Sequence, residues 1–278
     1  MSNLATQIQQ EVASAVDNDE LELPSLPEVA LRIREEAESR NVSAQSLAVV
    51  IGADPGLAVR MIRVANSPLF RATRTIEDLN MALSRLGVEY AANLATGFAM
   101  QQMFQATSDV IDRKMRSVWS RATEVAAVSG VLAKAYTRLR PDQATLAGLT
   151  HMIGVLPILA WAEEHPQFLQ DSLTLDRVID SIHGSLGTMI LQRWEFPEEV
   201  AMVPAHYTNF ERKAARVDYT DIVMVANLQL HSGTSHPYTK IDWHSIQAFT
   251  NIGLDPDVET GELAELSADI DEARSSIS

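Results

Sequence analysis

Hydrophobic residues recur every three or four positions through most of the first hundred residues. In residues 28–39, for example, Val29, Ile33 and Ala37 fall on one side of a helix and three glutamates on the other. No stretch of useful length in this part of the chain alternates apolar and polar residues as a half-buried strand would. The spacing therefore predicts an all-α protein, and the whole chain has room for roughly ten to thirteen helices.

Proline, glycine and capping residues divide this pattern into separate helices. Pro27 suits the first turn of a helix that runs to about Ser39. A second helix is predicted over residues 43–51, and Asp54 can cap the helix that follows it. Gly87 is suited to end a helix that starts at residues 75–78. Pro157 directly follows the apolar run AGLTHMIGVL at 147–156 and is expected to bend or restart the helix. Other helices are predicted over residues 1–20, 88–104, 118–136, 176–194, 200–206, 219–227 and 242–253.

The composition excludes disulfides and thiolate chemistry. The chain has 278 residues, is 46% hydrophobic and contains no cysteine. No run approaches the roughly 20 apolar residues that a membrane helix needs. The first sixteen residues contain neither a basic residue nor an apolar block, so no secretion signal is expected. We therefore expect a cytoplasmic protein that does not contact a membrane.

The formal net charge is −15, which disfavours binding to nucleic acid because the overall field repels phosphate. Much of this charge lies in residues 254–278, where eight acidic residues stand against Arg274 alone. We expect a solvated, flexible tail; the alternative is an acidic arm that binds a basic partner. The N-terminal half contains a cluster of four arginines, Arg60, Arg63, Arg71 and Arg74. These arginines could bind nucleic acid or a nucleotide, or they could only offset the charge of nearby acidic residues.

Three consecutive pieces of the chain resemble the N-terminal signature of HDOD domains. They read LPSLPEVALRI from Leu23, LAVVIGADPGLAVRMIRVANSPLF from Leu47 and TIEDLNMALSRLG from Thr75. They stand in order, with breaks between them. The resemblance implies an HD-domain-like multi-helical bundle, related to HD phosphohydrolases but generally lacking their full metal set. It also implies bacterial signalling or regulation rather than catalysis.

The resemblance suggests a division of the chain into four parts. Residues 1–22 would be a helical lead-in, and residues 23–105 an HDOD-type bundle. Residues 106–253 would form an HD-like bundle, either separate or sharing one core with the preceding part. Residues 254–278 would be the acidic tail.

In the second half, the resemblance places the remnants of an HD metal site on six positions. Three have lost the family's ligand type, and these are Arg121, Met152 and Asn227. Three keep an imidazole, and these are His151, His183 and His206. Tyr207 stands where some metal-binding relatives have a second adjacent histidine.

The lost ligands are the ones that a metal hydrolase needs most. Carboxylate oxygens bridge the two ions of such a site, whereas a guanidinium has no lone pair to offer. We therefore predict a degenerate metal site with no catalytic residue and no cofactor. Arg121 could hold an anion, face solvent or pair with Glu124, and His151 could be a core residue hydrogen-bonded to a carbonyl. His231 and His236 are predicted to be surface loop residues.

Three functions stay open from the sequence. The first is a non-catalytic signalling module that binds a partner protein. The second is a divergent metal-dependent phosphohydrolase in which His151, His183 and His206 hold an ion such as zinc or nickel. The third is the arginine-based nucleic-acid binder. The chain has no glycine-rich phosphate loop and no nucleophile elbow, and its pattern fixes neither the partner nor the oligomeric state.

Overall fold

The computed structural model describes residues 23–67, 70, 75–165, 172–257, 270–271, 273–275 and 277, and every regular element within these ranges is helical. This confirms the predicted all-α fold; the predicted lead-in helix lies outside the described residues. We number the α-helices in chain order: α1 Glu28–Ala37, α2 Ala44–Ile51, α3 Pro55–Asn66, α4 Leu79–Leu86, α5 Val88–Ala99, α6 Asp109–Tyr136, α7 Pro141–Thr150, α8 Val155–Glu164, α9 Ser172–Arg193, α10 Glu198–Ala201, α11 Val203–His206, α12 Tyr219–Gln229 and α13 Gln247–Ile252. Short 3₁₀ turns cover Met100–Met103, Pro237–Lys240 and Trp243–Ser245.

Local capping chemistry accounts for several helix starts. Asp54 accepts a hydrogen bond from the backbone N–H of Leu57 at 3.1 Å, and Pro55 occupies the first position of α3. Asp78 caps α4 through the N–H of Met81 at 2.9 Å. Each carboxylate satisfies an N–H group that has no partner inside its helix.

Several predicted boundaries were wrong. The helix predicted over residues 88–104 ends at Ala99 and continues as a 3₁₀ turn. Helix α6 begins at Asp109 rather than near residue 118, since Ile111 and Met115 already bury their side chains in its first two turns. Helix α8 begins at Val155, within the apolar run at 147–156, so Pro157 lies in the first turn of α8, where proline is tolerated.

The two halves of the chain share one contiguous hydrophobic core. Helix α5 packs on α1 in the N-terminal half and on α7 in the C-terminal half, and therefore joins them. Helices α6 and α7 lie side by side at the centre, with α12 packed across both. This arrangement brings α6, α7, α9 and α12 around the region in which the HD-site positions fall.

Two glycines permit the closest helix contacts beside this region. A Cβ atom at Gly148 would overlap the backbone of Ala126 on α6, with the Ala126 nitrogen only 2.8 Å away. A Cβ atom at Gly154 would overlap the backbone of α9 at His183. Neither neighbour is a flexible side chain that could move aside, so these backbones approach as closely as they do because the side chain is absent.

Gly148→Ala should therefore destabilise the protein by about 1–3 kcal/mol, because the added methyl group forces α6 and α7 apart. The measurement is the free energy of unfolding in urea, with Gly56→Ala as the control. Gly56 lies in the first turn of α3, where a Cβ would meet only the Asp54 carboxylate at 3.3 Å. Equal stability of the two variants would show that α6 and α7 can separate without loss.

The stretch Pro141–Glu164 has a mean hydropathy of 1.5 over its most apolar window, and by length and composition it could cross a membrane. In the folded protein, 89% of that window is buried. The stretch comprises α7, a four-residue turn and α8, and it forms the centre of the core. Its apolar character is thus explained by packing against other helices.

The described residues near the end of the chain differ from the flexible tail that the charge of this segment suggests. Residues 270–271, 273–275 and 277 are helical, and the side chains of Ala273 and Ile277 are buried. Their spacing of four residues puts them on one face of a helix. For these residues the expectation of a loose end was wrong, because a few apolar positions outweigh the acidic composition of the segment.

Candidate functional site

Arg121 and Asn227 are brought together and are bonded to each other. Arg121 lies in the middle of α6, and its Nη2 donates to both the backbone oxygen and the Oδ1 of Asn227 at 3.2 Å. Asn227 lies near the end of α12 and is buried. The other amino group of Arg121, Nη1, is 3.6 Å from Glu124, so the ion pair that the sequence suggested is present. Burial lowers the pKa of Arg121 and Glu124 opposes that shift; a guanidinium nevertheless stays protonated.

His151 is a buried neutral imidazole at the end of α7. Its Nδ1 is 2.6 Å from the carbonyl oxygen of Gly148, and because a carbonyl only accepts, Nδ1 carries the proton. The lone pair is then on Nε2, which is buried and has no hydrogen-bond partner. The pKa of His151 is lowered to about 3, mainly by burial and to a smaller extent by His183 and by the charge of Arg121. Met152, next in the chain, is partly buried against the core and supplies no oxygen ligand.

His183 is held by two hydrogen bonds that use both ring nitrogens. Its Nδ1 donates to the carbonyl oxygen of Ile179 at 2.6 Å, so its Nε2 accepts from the Tyr207 hydroxyl at 2.8 Å. The Tyr207 ring meets His151 edge-on at 4.8 Å and His183 edge-on at 5.7 Å between centroids. Tyr207 thus stands between the two imidazoles and occupies the lone pair of one of them.

His206 lies elsewhere, although it directly precedes Tyr207. It lines a pocket of about 500 Å³ together with Glu199, Met202 and Arg212. The ligand atoms of His151, His183 and His206 do not converge: the one group of three imidazole or carboxylate residues within 4.8 Å of one another, among the described residues, is the exposed set His244, Asp255 and Asp257.

Sequence reasoning missed the contribution of the loop that follows α12. His231 and His236 are half-buried and stack at 3.8 Å between ring centroids, and Tyr238 meets the His236 ring edge-on at 4.4 Å. Burial and the charge of Arg121 lower the pKa of both histidines, that of His231 to about 4. The prediction of surface loop residues was therefore incomplete. The available signal was their position, since they follow the helix that carries Asn227.

The side chains around this site do not fit the binuclear metal centre of HD enzymes. The amide oxygen of Asn227 is taken by Arg121, and the Nε2 of His183 is taken by Tyr207. The Glu124 carboxylate is shared between Arg121 and Arg274. Of the two imidazoles that Tyr207 contacts, only His151 keeps a free lone pair, and the nearby positive charge of Arg121 repels a divalent cation.

Comparison with known proteins gives the family and the fold. The family model of the HDOD domain matches residues 23–210. A Shewanella amazonensis structure, named as a candidate metal-dependent phosphohydrolase, is 30% identical with a TM-score of 0.87, over 100% of this chain and 98% of that one. An HDOD domain protein of unknown function from Geobacter sulfurreducens is 21% identical with a TM-score of 0.65, over 100% and 98% of the two chains. An uncharacterized protein of Treponema pallidum is 25% identical over 70% of this chain, which spans only 38% of the length of that relative.

Proposed function

This chain belongs to the HDOD domain family, and from the state of its site we propose that it is a non-catalytic regulatory module that acts in signalling through contact with a partner protein. The proposal joins two lines of support. The family resemblance implies signalling rather than catalysis, and the positions that supply carboxylate ligands in the HD pattern carry Met152 and Asn227 here, neither of which can bridge two metal ions.

The observation that carries the proposal is the bond between Arg121 and Asn227. In the HD pattern these two positions hold a histidine and an aspartate, and both would face the metal. Here a permanent cation donates to the neutral amide oxygen of Asn227 at 3.2 Å, which leaves a positive charge where the HD pattern has a metal ligand. Such a pair stabilises the packing of α6 against α12 and offers nothing to a metal-bound water.

A divergent metal-dependent phosphohydrolase is the second candidate. Two observations favour it: the unpartnered Nε2 of His151, and the name of the Shewanella protein, which is 30% identical. Against it, the lone pair of His183 is occupied and His206 lines a different pocket. A metal bound here would have one free imidazole ligand from the three that the sequence suggested.

The two candidates make opposite predictions for metal and turnover. We expect protein purified without an affinity tag to hold less than about a tenth of an equivalent of metal per chain, since a tight site should fill. We also expect no hydrolysis of nucleoside phosphates or cyclic dinucleotides with magnesium, manganese, iron or nickel present. Elemental analysis would measure the metal content, and chromatography of the nucleotide products would measure hydrolysis, including the opening of a cyclic dinucleotide, which releases no free phosphate.

The comparison protein for these measurements is the variant Arg121→His, Met152→Asp and Asn227→Asp, which restores the ligand types of the HD pattern. A gain of metal in this variant over the wild type would show that the scaffold can hold an ion once the lost ligands return. Turnover by the wild type that disappears in His151→Ala would refute the non-catalytic proposal.

A further inference from the structure

Near the C-terminus, residues 270–271, 273–275 and 277 lie between the two halves of the protein. On one side of an apolar cavity of about 200 Å³ stand Ala273 and Ile277. On the other side stand Tyr90 of α5, Val131 of α6 and Thr145 of α7. The segment therefore covers an apolar groove at the place where the N-terminal bundle meets the HD-like half.

The apolar spacing of the segment explains why it docks there. Ile270, Ala273 and Ile277 recur at intervals of three and four, which gives a helix one apolar face. Ala273 and Ile277 are buried, Ile270 is partly buried against the core, and Asp271 and Ser275 are exposed. Burying this face removes apolar surface from water, which is the driving force for docking.

Two arginine contacts hold the segment in place. Arg60 of α3 donates from Nη2 to the backbone oxygen of Ile277 at 2.7 Å, and its guanidinium lies 3.9 Å from the centroid of the Phe98 ring. Arg274 of the segment donates from Nη2 to Glu124 Oε1 on α6 at 3.1 Å. Arg60 was a candidate for binding nucleic acid; Arg63 is exposed, and Arg71 and Arg74 lie outside the described residues.

The same carboxylate connects the segment to the site. Glu124 faces Arg274 with one oxygen and Arg121 with the other, at 3.1 and 3.6 Å. Arg121 in turn holds Asn227. When the segment is docked, Glu124 pairs with two cations, Arg121 and Arg274. Release of the segment would remove Arg274 and leave Glu124 paired with Arg121 alone.

The packing beside the segment is incomplete. Ala273 and Ile277 line a partly open apolar cavity of about 200 Å³. Side chains that line such a cavity lack contacts on that side, so the segment has fewer packing contacts than a helix enclosed in the core. We therefore expect the segment to detach more readily than a core helix.

We propose that the groove is a helix-docking site and that the chain occludes it with its own C-terminal segment, described at residues 270–271, 273–275 and 277, which acts as a releasable strap linked through Glu124 to the Arg121 site. Its regulatory meaning rests on the proposed function, because a signalling module needs a surface that can be covered and exposed. The docking itself is independent of that function. The occupant is an amphipathic helix with apolar residues four apart and an arginine placed to reach Glu124.

The test adds the segment in trans as a labelled peptide of residues 266–278 to three full-length chains: wild type, Ile277→Asp and Ser275→Asp. Ile277→Asp buries a charge and should release the strap, whereas Ser275→Asp adds the same charge at an exposed position. Fluorescence anisotropy should show at least about tenfold tighter binding to the Ile277→Asp chain, because a tethered segment competes at an effective concentration near the millimolar range.

Two further measurements identify the contact. A peptide with Arg274→Ala should bind the Ile277→Asp chain more weakly than the native peptide, and this difference should vanish when that chain also carries Glu124→Gln. Amide hydrogen exchange in α6 near Glu124 should rise in Ile277→Asp and stay unchanged in Ser275→Asp.

The strap proposal is overturned if amide hydrogen exchange in α6 is the same in both full-length variants as in the wild type. It is also overturned if a peptide carrying Ile277→Asp binds as well as the native peptide. Either result leaves the proposed function untouched, because that function is judged by metal content and turnover. Conversely, turnover that depends on His151 would refute the non-catalytic role without affecting the peptide measurements.

Discussion

Acidification from pH 7 to pH 4 should destabilise the wild-type protein by about 3 kcal/mol more than it destabilises the variant His151→Phe. The reason is that His151 titrates near pH 6.5 in the unfolded chain, whereas burial lowers its pKa to about 3 in the folded protein. Between these values the unfolded state binds a proton that the folded state does not. Stability from this group is therefore complete above pH 6.5 and is lost as the pH falls.

The comparison with His151→Phe isolates one group among several that titrate in this range. Phenylalanine cannot bind a proton, and it keeps an aromatic ring against Tyr207. The charged and titratable groups that act on His151 are Arg121 and His183, and both are present in the two proteins, so their effects largely cancel. Unfolding in urea at several pH values measures the difference.

His244 provides the control with the opposite sign. It is exposed, and its hydrogen bond to Asp257 raises its pKa, so the stability that it contributes is present at low pH and lost as the pH rises. His244→Ala should therefore differ from the wild type in the reverse direction to His151→Phe. A wild-type protein and a His151→Phe variant with parallel pH profiles would show that water reaches the His151 ring.

Arg212→Met should lower the free energy of unfolding by about 3–5 kcal/mol at neutral pH, because it leaves the Asp221 carboxylate buried without a counter-charge. The Asp221 side chain is only 3% exposed, and its Oδ1 accepts from Arg212 Nη1 at 2.8 Å. Its other oxygen accepts from Asn251 at 2.8 Å. Arg212 also pairs with Asp218, which caps α12. The measurement is chemical unfolding monitored by circular dichroism.

Two companion variants separate the loss of the charge pair from a loss of packing. Arg212→Met combined with Asp221→Asn should recover most of the stability, since a neutral amide still bonds to Asn251 and needs no cation. Lys114→Met, which breaks the surface pair with Asp176, should cost less than about 1 kcal/mol. If the double variant is as unstable as Arg212→Met alone, the arginine acts through its packing and not through its charge.

The pH dependence of Arg212→Met gives an additional check. Burial raises the pKa of Asp221 even in the wild type. Without the arginine that shift should grow, so protonation of Asp221 becomes easier as the pH falls. The deficit of Arg212→Met relative to the wild type should therefore shrink between pH 7 and pH 5.

The family resemblance grouped six positions into one candidate site, and the structure decides which of their side chains bond. Arg121 and Asn227 belong to that group, and they bond although 106 residues separate them. It grouped His206 with the other two imidazoles, whereas Tyr207 is the residue that contacts them. Two adjacent residues of a helix point about 100° apart, so a motif aligned by sequence does not decide which one faces the site.

The sequence also predicted some helix boundaries and missed others. The starts of α3 and α4 were predictable, because a carboxylate bonds to a backbone N–H three residues away. The early start of α6 was not, because Ile111 and Met115 are stabilised there by burial against other helices.

The sequence alone determined what depends on neighbours along the chain: the helical periodicity, the caps, the family and the loss of the ligand residue types. Only the tertiary structure decided which side chains meet, since the bond between Arg274 and Glu124 spans 150 residues. It also decided that the acidic C-terminal end docks at Ala273 and Ile277. Local chemistry acts within one turn of a helix, whereas burial depends on every helix that packs around a residue.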